Sequence, residues 1–574
     1  MRGEVTMRVV MVLIIIAALV GAYYLTREAP PAQMEVWVVG ESVKVRPYDP
    51  PEAHNLTWDG KRRIVRLYGA RNEYVGFQIV VRAGGRDGGG ITFAVADLRQ
   101  GEHTLSRENI EVFREHYLEV TVPSQYDARH PIRHGLGPGE YPVQMVPLGN
   151  YESAERLVAG RNQPFWVDLY VPEDTAPGEY TGTWQVQAWG GPKVELKVSL
   201  TVWNFTLPHE THFKTFFYYG PEQIRWAFPG LSYEEFLAVE RQFYQLAHQH
   251  RMNLATEPEV SDGNFPWGKW WARFGPYLDG SAYKERVGRG VGACLWPIRL
   301  DPAASEENFK AACRSVVAFF EPKGLLDRLF VFSIDEPNSR QDYETVRRLG
   351  RWIDEAVGDK LPLMLTEQIR PQNPAWGSLV GYVDIWNSGQ SSLEEMAVRR
   401  AAGDRIWVYN AGLAGEPYID TPGLEMRTWA WAAWRFDLEA WHFWDTCYWR
   451  QKHFGVQEMT KVWHDPLTFD ETRRIKDGRP YPAEWALRLN GDGVLFYPGS
   501  EVGITGPIGC FRLKAFRRGA QDYEYLYLLA KAGQKATADR LAEHLLPRPH
   551  QWKADPEAWD RARLEMGSLI NSGG

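Results

Sequence analysis

The stretch Leu329–Val346, "LFVFSIDEPNSRQDYETV", carries a mostly apolar run into Asp335 and Glu336, then Pro337, then a helical pattern. A short apolar run bounded by turn residues reads as a buried strand. Two carboxylates at its exit have two readings. A helix N-cap with an acidic first turn explains one acid, but not two with a proline directly behind them. Catalytic chemistry explains both, because in a parallel barrel the active site sits at the carboxyl ends of the strands. Neighbouring residues leaving a strand point different ways. Both acids therefore reach one cleft only where the chain turns, and Pro337 favours such a turn.

The surrounding rhythm supplies the barrel. From about His209, strand-like "FKTFFYYG", "MNLATEP", "VGACLWPIRL", "LFVFSI", "LPLMLTEQ", "GYVDIWNSG", "RIWVYNAG" and "LEAWHFWDTCYW" are separated by helical patterns or loops. Among the helical patterns are "SYEEFLAVERQFYQLAHQH", "SEENFKAACRSVVAFFEPKG" and Asp342–Val357. Alternating strand and helix over this length predicts a (β/α)8-type barrel. No Gly-rich phosphate fingerprint follows the first strand, which disfavours a doubly wound sheet. Upstream, Glu35 to Phe205 is a series of short alternating segments punctuated by Gly, Pro, Asp and Asn, the pattern of a β-sandwich. The predicted organisation is multidomain, β followed by α/β. A β-sandwich spans 35–207, a (β/α)8-type barrel 208–460, and a C-terminal strand-and-helix extension 461–574 packs on the barrel. In that extension Arg517, Arg518, Asp522 and Glu524 read as helix-surface ion pairs.

The N-terminus predicts export. Arg8, an apolar run from Val9 to Leu25 and a Pro-rich segment make residues 1–34 a signal peptide or an uncleaved membrane anchor with its linker. The functional body is then extracytoplasmic, either secreted or held at the membrane. A net charge of -8 and a pI near 6.0 give no basic footprint and argue against nucleic acid as a partner. Cys294, Cys313, Cys447 and Cys510 show no metal or redox spacing and read as buried free thiols, with one or two disulfides as the alternative. His248 and His250 alternate on a helix and share no face, so they form no metal pair. No metal site and no cofactor is implied. The 25 Trp residues fill cores, and a share of them fits stacking on sugar rings.

A glycosidase needs a protonated acid at the leaving oxygen and a second group to support the cationic transition state. The ending "xEP" resembles that of the large barrel clan with Asn-Glu-Pro at its fourth strand and its nucleophile at the end of the seventh. Here the seventh strand, "RIWVYNAG", ends in Tyr409 and Asn410 with no carboxylate. An adjacent Asp-Glu pair suits a different scheme, in which a 2-acetamido carbonyl oxygen is the internal nucleophile.

Asp335-Glu336-Pro337, "WVYNAG", "YIDTPGLEMRTWAWAAWRFDLEAWHFWDTCYW" and "GDGVLFYPGSEVGITGPIGCFRLKAFRRGAQDYEYL" together resemble the catalytic domain of glycoside hydrolase family 123. The resemblance covers about Phe213 to Ala532 plus the preceding sandwich. It implies an exo-acting, retaining β-N-acetylhexosaminidase of the N-acetylgalactosaminidase kind, using substrate assistance on a glycan or glycoconjugate. Asp335 would orient the acetamido group and Glu336 would be the general acid/base. Tyr409 and Asn410 are candidates for hydrogen bonds to the sugar. Trp386, Trp429 and Trp444 are candidates for a stacking floor. Glu367 and Asp445, at strand exits, are candidates for contacts to hydroxyls. Two other readings stand beside this one. The first is a glycosidase on a sugar lacking the acetamido group, with Glu367 or Asp445 as distant second carboxylate. The second is a non-catalytic surface glycan-binding protein whose Asp-Glu pair is ion-paired.

Overall fold

The computed structural model describes residues 33–451, 454–455, 459–476 and 479–573. The export segment predicted at 1–34 lies almost wholly outside them. Among the described residues no helix is long and apolar enough to cross a membrane.

The N-terminal region is two packed sheets. One is antiparallel, in the order Gln33–Val39, Glu73–Gly84, Asn162–Val171, Ile110–Val120, Gly139–Pro147. The other is built on the Gly178–Ala188 and Lys193–Thr206 hairpin, with Ile64–Arg71 parallel to its second strand. In Lys193–Thr206, buried Val194, Leu196, Val198, Leu200 and Val202 alternate with exposed or half-buried neighbours. One face meets the core and the other meets water. Glu73–Gly84 is instead buried on both faces almost throughout, because its second face meets the rest of the protein.

From Lys214 to Phe443 the strands pair in parallel, with helices or loops between them, whereas the short strands from Leu467 to Gly509 pair antiparallel. A six-stranded sheet runs Leu254–Ala255, Lys214–Tyr218, Ala440–Phe443, Arg405–Tyr409, Ile385–Asn387, Met364–Leu365. A three-stranded sheet holds Glu259–Val260, Trp296–Leu300 and Leu329–Val331. One isolated bridge, Val331 to Leu363, links the two. The region is thus α/β with a parallel half-barrel sheet and a smaller parallel sheet beside it, rather than one uninterrupted eight-stranded ladder. Pro258 and Pro362 sit at the two interruptions and lack the N–H that a central ladder requires.

The surplus tryptophan is mostly core. Ten of the largest fully buried side chains are Trp, among them Trp386, Trp407, Trp429 and Trp441. Cys313, Cys447 and Cys510 are buried, Cys294 is partly so, and all four are free thiols. His248 donates from Nε2 to Gly288 O and stacks on Tyr283, while His250 donates from Nδ1 to Leu246 O.

The C-terminal helix Phe511–Leu529 departs most from expectation. Its charged residues are not on a surface. Lys514, Arg517, Arg518, Asp522 and Glu524 are all buried, because the helix runs between the N-terminal sheets and the parallel α/β region. Asp168 of the sandwich accepts from Lys514 at 2.6 Å and from both terminal nitrogens of Arg517. Asp522 takes Arg427 at 2.7 Å and also Arg563. Arg518 faces Glu41 at 3.1 Å and Glu73 at 3.6 Å, and Glu524 binds His212. Gly519 lets the helix approach the Glu425–Arg427 turn, since a Cβ there would meet Arg427 O at 2.5 Å. Burial alone would raise the Asp168 carboxyl, but Arg517 and Lys514 outweigh it and hold it well below the usual carboxylate range.

An Asp168→Asn change leaves two buried cations uncompensated, which costs roughly 3–5 kcal/mol at neutral pH. The depressed carboxyl contributes stability above its unfolded value near about 3.9 and loses it as pH falls toward its folded value. Denaturant unfolding should therefore show a gap between wild type and D168N that is full at pH 7 and narrows in acid.

Candidate active site

Asp335 and Glu336 lie just past Leu329–Val331, where the chain continues extended and Phe332 N donates to Ile298 O at 3.0 Å. They do not cap the next helix. Arg340–Val357 is capped by Ser339, whose hydroxyl accepts from Asp342 N, with Asp342 as the acid of its first turn. The turn that brings both acids to one opening is made by Glu336 itself, at φ 44°. Residues with a Cβ hold such a conformation only where the surroundings over-determine it. Thr366, at the exit of Met364–Leu365, supplies the restraint. Its hydroxyl accepts from Glu336 N at 2.9 Å and donates to Asp335 Oδ1 at 2.6 Å.

Both carboxylates are reached by solvent at the mouth, and among the described residues neither forms an ion pair. Even so, protein packed around Glu336 raises its pKa above the ordinary glutamate value. The Tyr409 hydroxyl, donating to Oε1 at 2.9 Å, pulls it back, and Asp335 pushes it up further. A raised carboxyl beside an anionic partner suits a general acid.

The remaining candidates separate. Tyr409 is at the site, bonded to Glu336. Asn410, with φ 51°, accepts from Trp444 N at 3.3 Å through its side chain and from Trp441 Nε1 through its carbonyl. It shapes the rim. Trp386 and Trp429 are corrections to the stacking floor. Trp386 is 1% exposed and donates to Asp404, which precedes the next strand, at the end of the sheet away from the acids. Trp429 is fully buried, donates to Gly415 O and stacks on Trp441. Trp444 is half-buried, tilted against Tyr448 with Phe469 at its edge, and keeps its place among sugar-facing candidates. Glu367 is buried and accepts from Gln368 N and from Gln372 Nε2 at 2.6 Å. Asp445 is buried too, its Oδ1 taken by the N–H groups of Thr446 and Cys447. Both acids are committed to protein donors.

The catalytic-domain model of glycoside hydrolase family 123 matches residues 294–529, and the N-terminal-domain model of the same family matches residues 57–188. Together they span more than half of the sequence. The chain belongs to glycoside hydrolase family 123. It is a glycoside hydrolase by its catalytic domain, and Asp335 and Glu336 fall inside that domain. A family 123 glycoside hydrolase from Clostridium perfringens, studied for glycolipid glycan hydrolysis, superposes with a TM-score of 0.66. It is 13% identical, with 94% of this chain and 97% of that one covered, so the fold is shared end to end. A Bacteroides ovatus GH5 xyloglucanase is 9% identical, with TM-score 0.24 over 80% of this chain and 98% of that one. A family 39 enzyme from Bacteroides cellulosilyticus WH2 is 10% identical, with TM-score 0.29 over 68% and 79%. No curated protein matches the chain.

Three residues of this family 123 site were not singled out from the sequence. Thr366 lay unremarked in "LMLTEQ", because a threonine at a strand exit has no signature of its own. Glu257, on the interruption between Leu254–Ala255 and Glu259–Val260, is ion-paired with Arg299 at 2.9 Å. Burial raises its pKa, Arg299 lowers it, and Glu259 and Asp335 raise it in smaller part. His442, beneath Tyr409, is held neutral: burial lowers it to about 3, and Asn387 bonds its Nδ1 at 2.9 Å.

Tyr409→Phe removes the donor that stabilises ionised Glu336, so the Glu336 pKa rises. An acid must be protonated to act, so the alkaline limb of kcat/KM should move up in pH, by up to about one unit. A downward shift would show that Tyr409 does not act on Glu336.

Proposed function

We propose that this family 123 enzyme is a retaining exo-β-N-acetylhexosaminidase, N-acetylgalactosaminidase-like, working by substrate assistance. The observation that carries the reading is the adjacent pair itself. Asp335 and Glu336 share one mouth, have no ion pair among the described residues and are tied together by Thr366, while the other candidate carboxylates, Glu367 and Asp445, accept hydrogen bonds from protein donors. In this scheme Glu336 gives its proton to the leaving oxygen as the 2-acetamido carbonyl oxygen attacks the anomeric carbon. Asp335 accepts the acetamido N–H and offsets the charge of the oxazolinium ion. Glu336, now ionised, then takes a proton from the water that opens that ion at the anomeric carbon.

The two parallel sheets, joined through 254–260 and the Val331–Leu363 bridge, are read as one (β/α)8-type barrel around this mouth. We take a glycan carried on a lipid or other conjugate as the substrate class, in line with the work described for the Clostridium perfringens relative. Export rests on the sequence of residues 1–34 alone.

Glu336→Gln should lose most activity on aryl 2-acetamido-glycosides with poor leaving groups, on the order of 10²- to 10⁴-fold, and recover in part as the leaving group improves. Asp335→Asn should lose activity whatever the leaving group. A thiazoline that mimics the oxazolinium ion should inhibit. Near-wild-type turnover in both variants would sink the assignment. Hydrolysis confined to sugars without an acetamido group would replace it with the distant-carboxylate scheme.

A further inference from the structure

Thr366 is 3% exposed and β-branched, so packing and its own stiff χ1 hold its hydroxyl in one place. That hydroxyl makes two contacts of opposite sense. It accepts the amide N–H of Glu336 at 2.9 Å and donates to Asp335 Oδ1 at 2.6 Å. A hydroxyl has a single hydrogen. The amide bond orients it, and its hydrogen then goes to Asp335. One oxygen atom thereby restrains the φ 44° turn under the acid and fixes which oxygen of the neighbouring carboxylate is already occupied.

We propose that Thr366 is a positioning residue for the reaction, acting through Asp335: it engages Oδ1 so that Oδ2 is presented to the substrate's N–H. The proposal rests on the substrate-assisted reading above and adds to it the residue that orients its stabiliser. Without that bond Asp335 can rotate about its terminal torsion, which is soft and two-fold. Each turnover must then re-establish the geometry that fixed orientation otherwise supplies. Thr366 itself touches no reacting atom.

The test compares Thr366→Val, which keeps the shape and loses both bonds, with Thr366→Ser, which keeps the hydroxyl, on the best aryl glycoside of the intact enzyme. T366V should lose kcat on the order of 10- to 100-fold with KM changed less than about threefold, equally for good and poor leaving groups. T366S should recover to within about fivefold of wild type, a rescue that a loss of packing alone would not give. The T366V/D335N double variant should be no slower than D335N, since both changes remove one function. Wild-type turnover by T366V, a T366S variant as slow as T366V, or a double variant showing the product of both losses would each overturn the proposal. If the wild type acts only on sugars without an acetamido group, the substrate-assisted reading fails separately. The same variants are then read on that sugar, where a T366V loss unaccompanied by a D335N loss overturns the role assigned to Thr366.

Discussion

The helix Phe511–Leu529 is the constraint on which the rest depends. It presents apolar residues to its neighbours and also buries six charged side chains, Arg512, Lys514, Arg517, Arg518, Asp522 and Glu524, an arrangement stable only where each charge meets an opposite charge or a hydrogen-bond partner. The sandwich supplies Glu41, Glu73 and Asp168, the α/β region Arg427, and the last helix, Pro556–Gly573, supplies Asp560 and Arg563. Such pairs add little net stability over apolar packing, but they penalise every misregistered docking heavily. The sandwich is therefore held in one orientation against the α/β region. Arg512 adds to the same lock by donating to Pro417, Gly491 and Val494 carbonyls.

That rigidity bears on the site. The strand exits carry the acids, but neither carboxylate is fixed by its own strand. Glu336 is turned out by a left-handed backbone and Asp335 is held by a side chain from the next strand. Tyr409, three strands further round the sequence, reaches across to Glu336. The raised Glu336 carboxyl is thus a product of several elements at once: packing from the walls, opposed by one phenol and reinforced by one neighbouring acid. Beneath them a neutral His442 stacks on Phe216 at 4.6 Å and fills the floor without adding charge.

Much of the fold was legible in the residues. The alternation in Lys193–Thr206, the helical spacing of Val346, Leu349 and Ile353, and the apolar strands each side of them all formed where their periodicity placed them. The acid pair was legible because two carboxylates behind a buried strand have no inexpensive structural explanation. Trp386 and Trp429 were misread, since an indole near a strand exit has the same sequence appearance whether it faces a sugar or the core. The charged face of Phe511–Leu529 was misread for a related reason. Charge at helical spacing ordinarily means solvent, and only a partner far along the chain, such as Asp168, 346 residues from Lys514 and 349 from Arg517, converts it to an interior.

The sequence by itself determined the two-part architecture, the family resemblance and the pairing of Asp335 with Glu336, because these are set by local periodicity and by adjacency along the chain. Tertiary structure alone decided how the pair faces its cleft. The φ of Glu336, the hydroxyl of Thr366 and the phenol of Tyr409 come from three separate strand exits, and their bonds depend on distances across space that no spacing along the chain encodes.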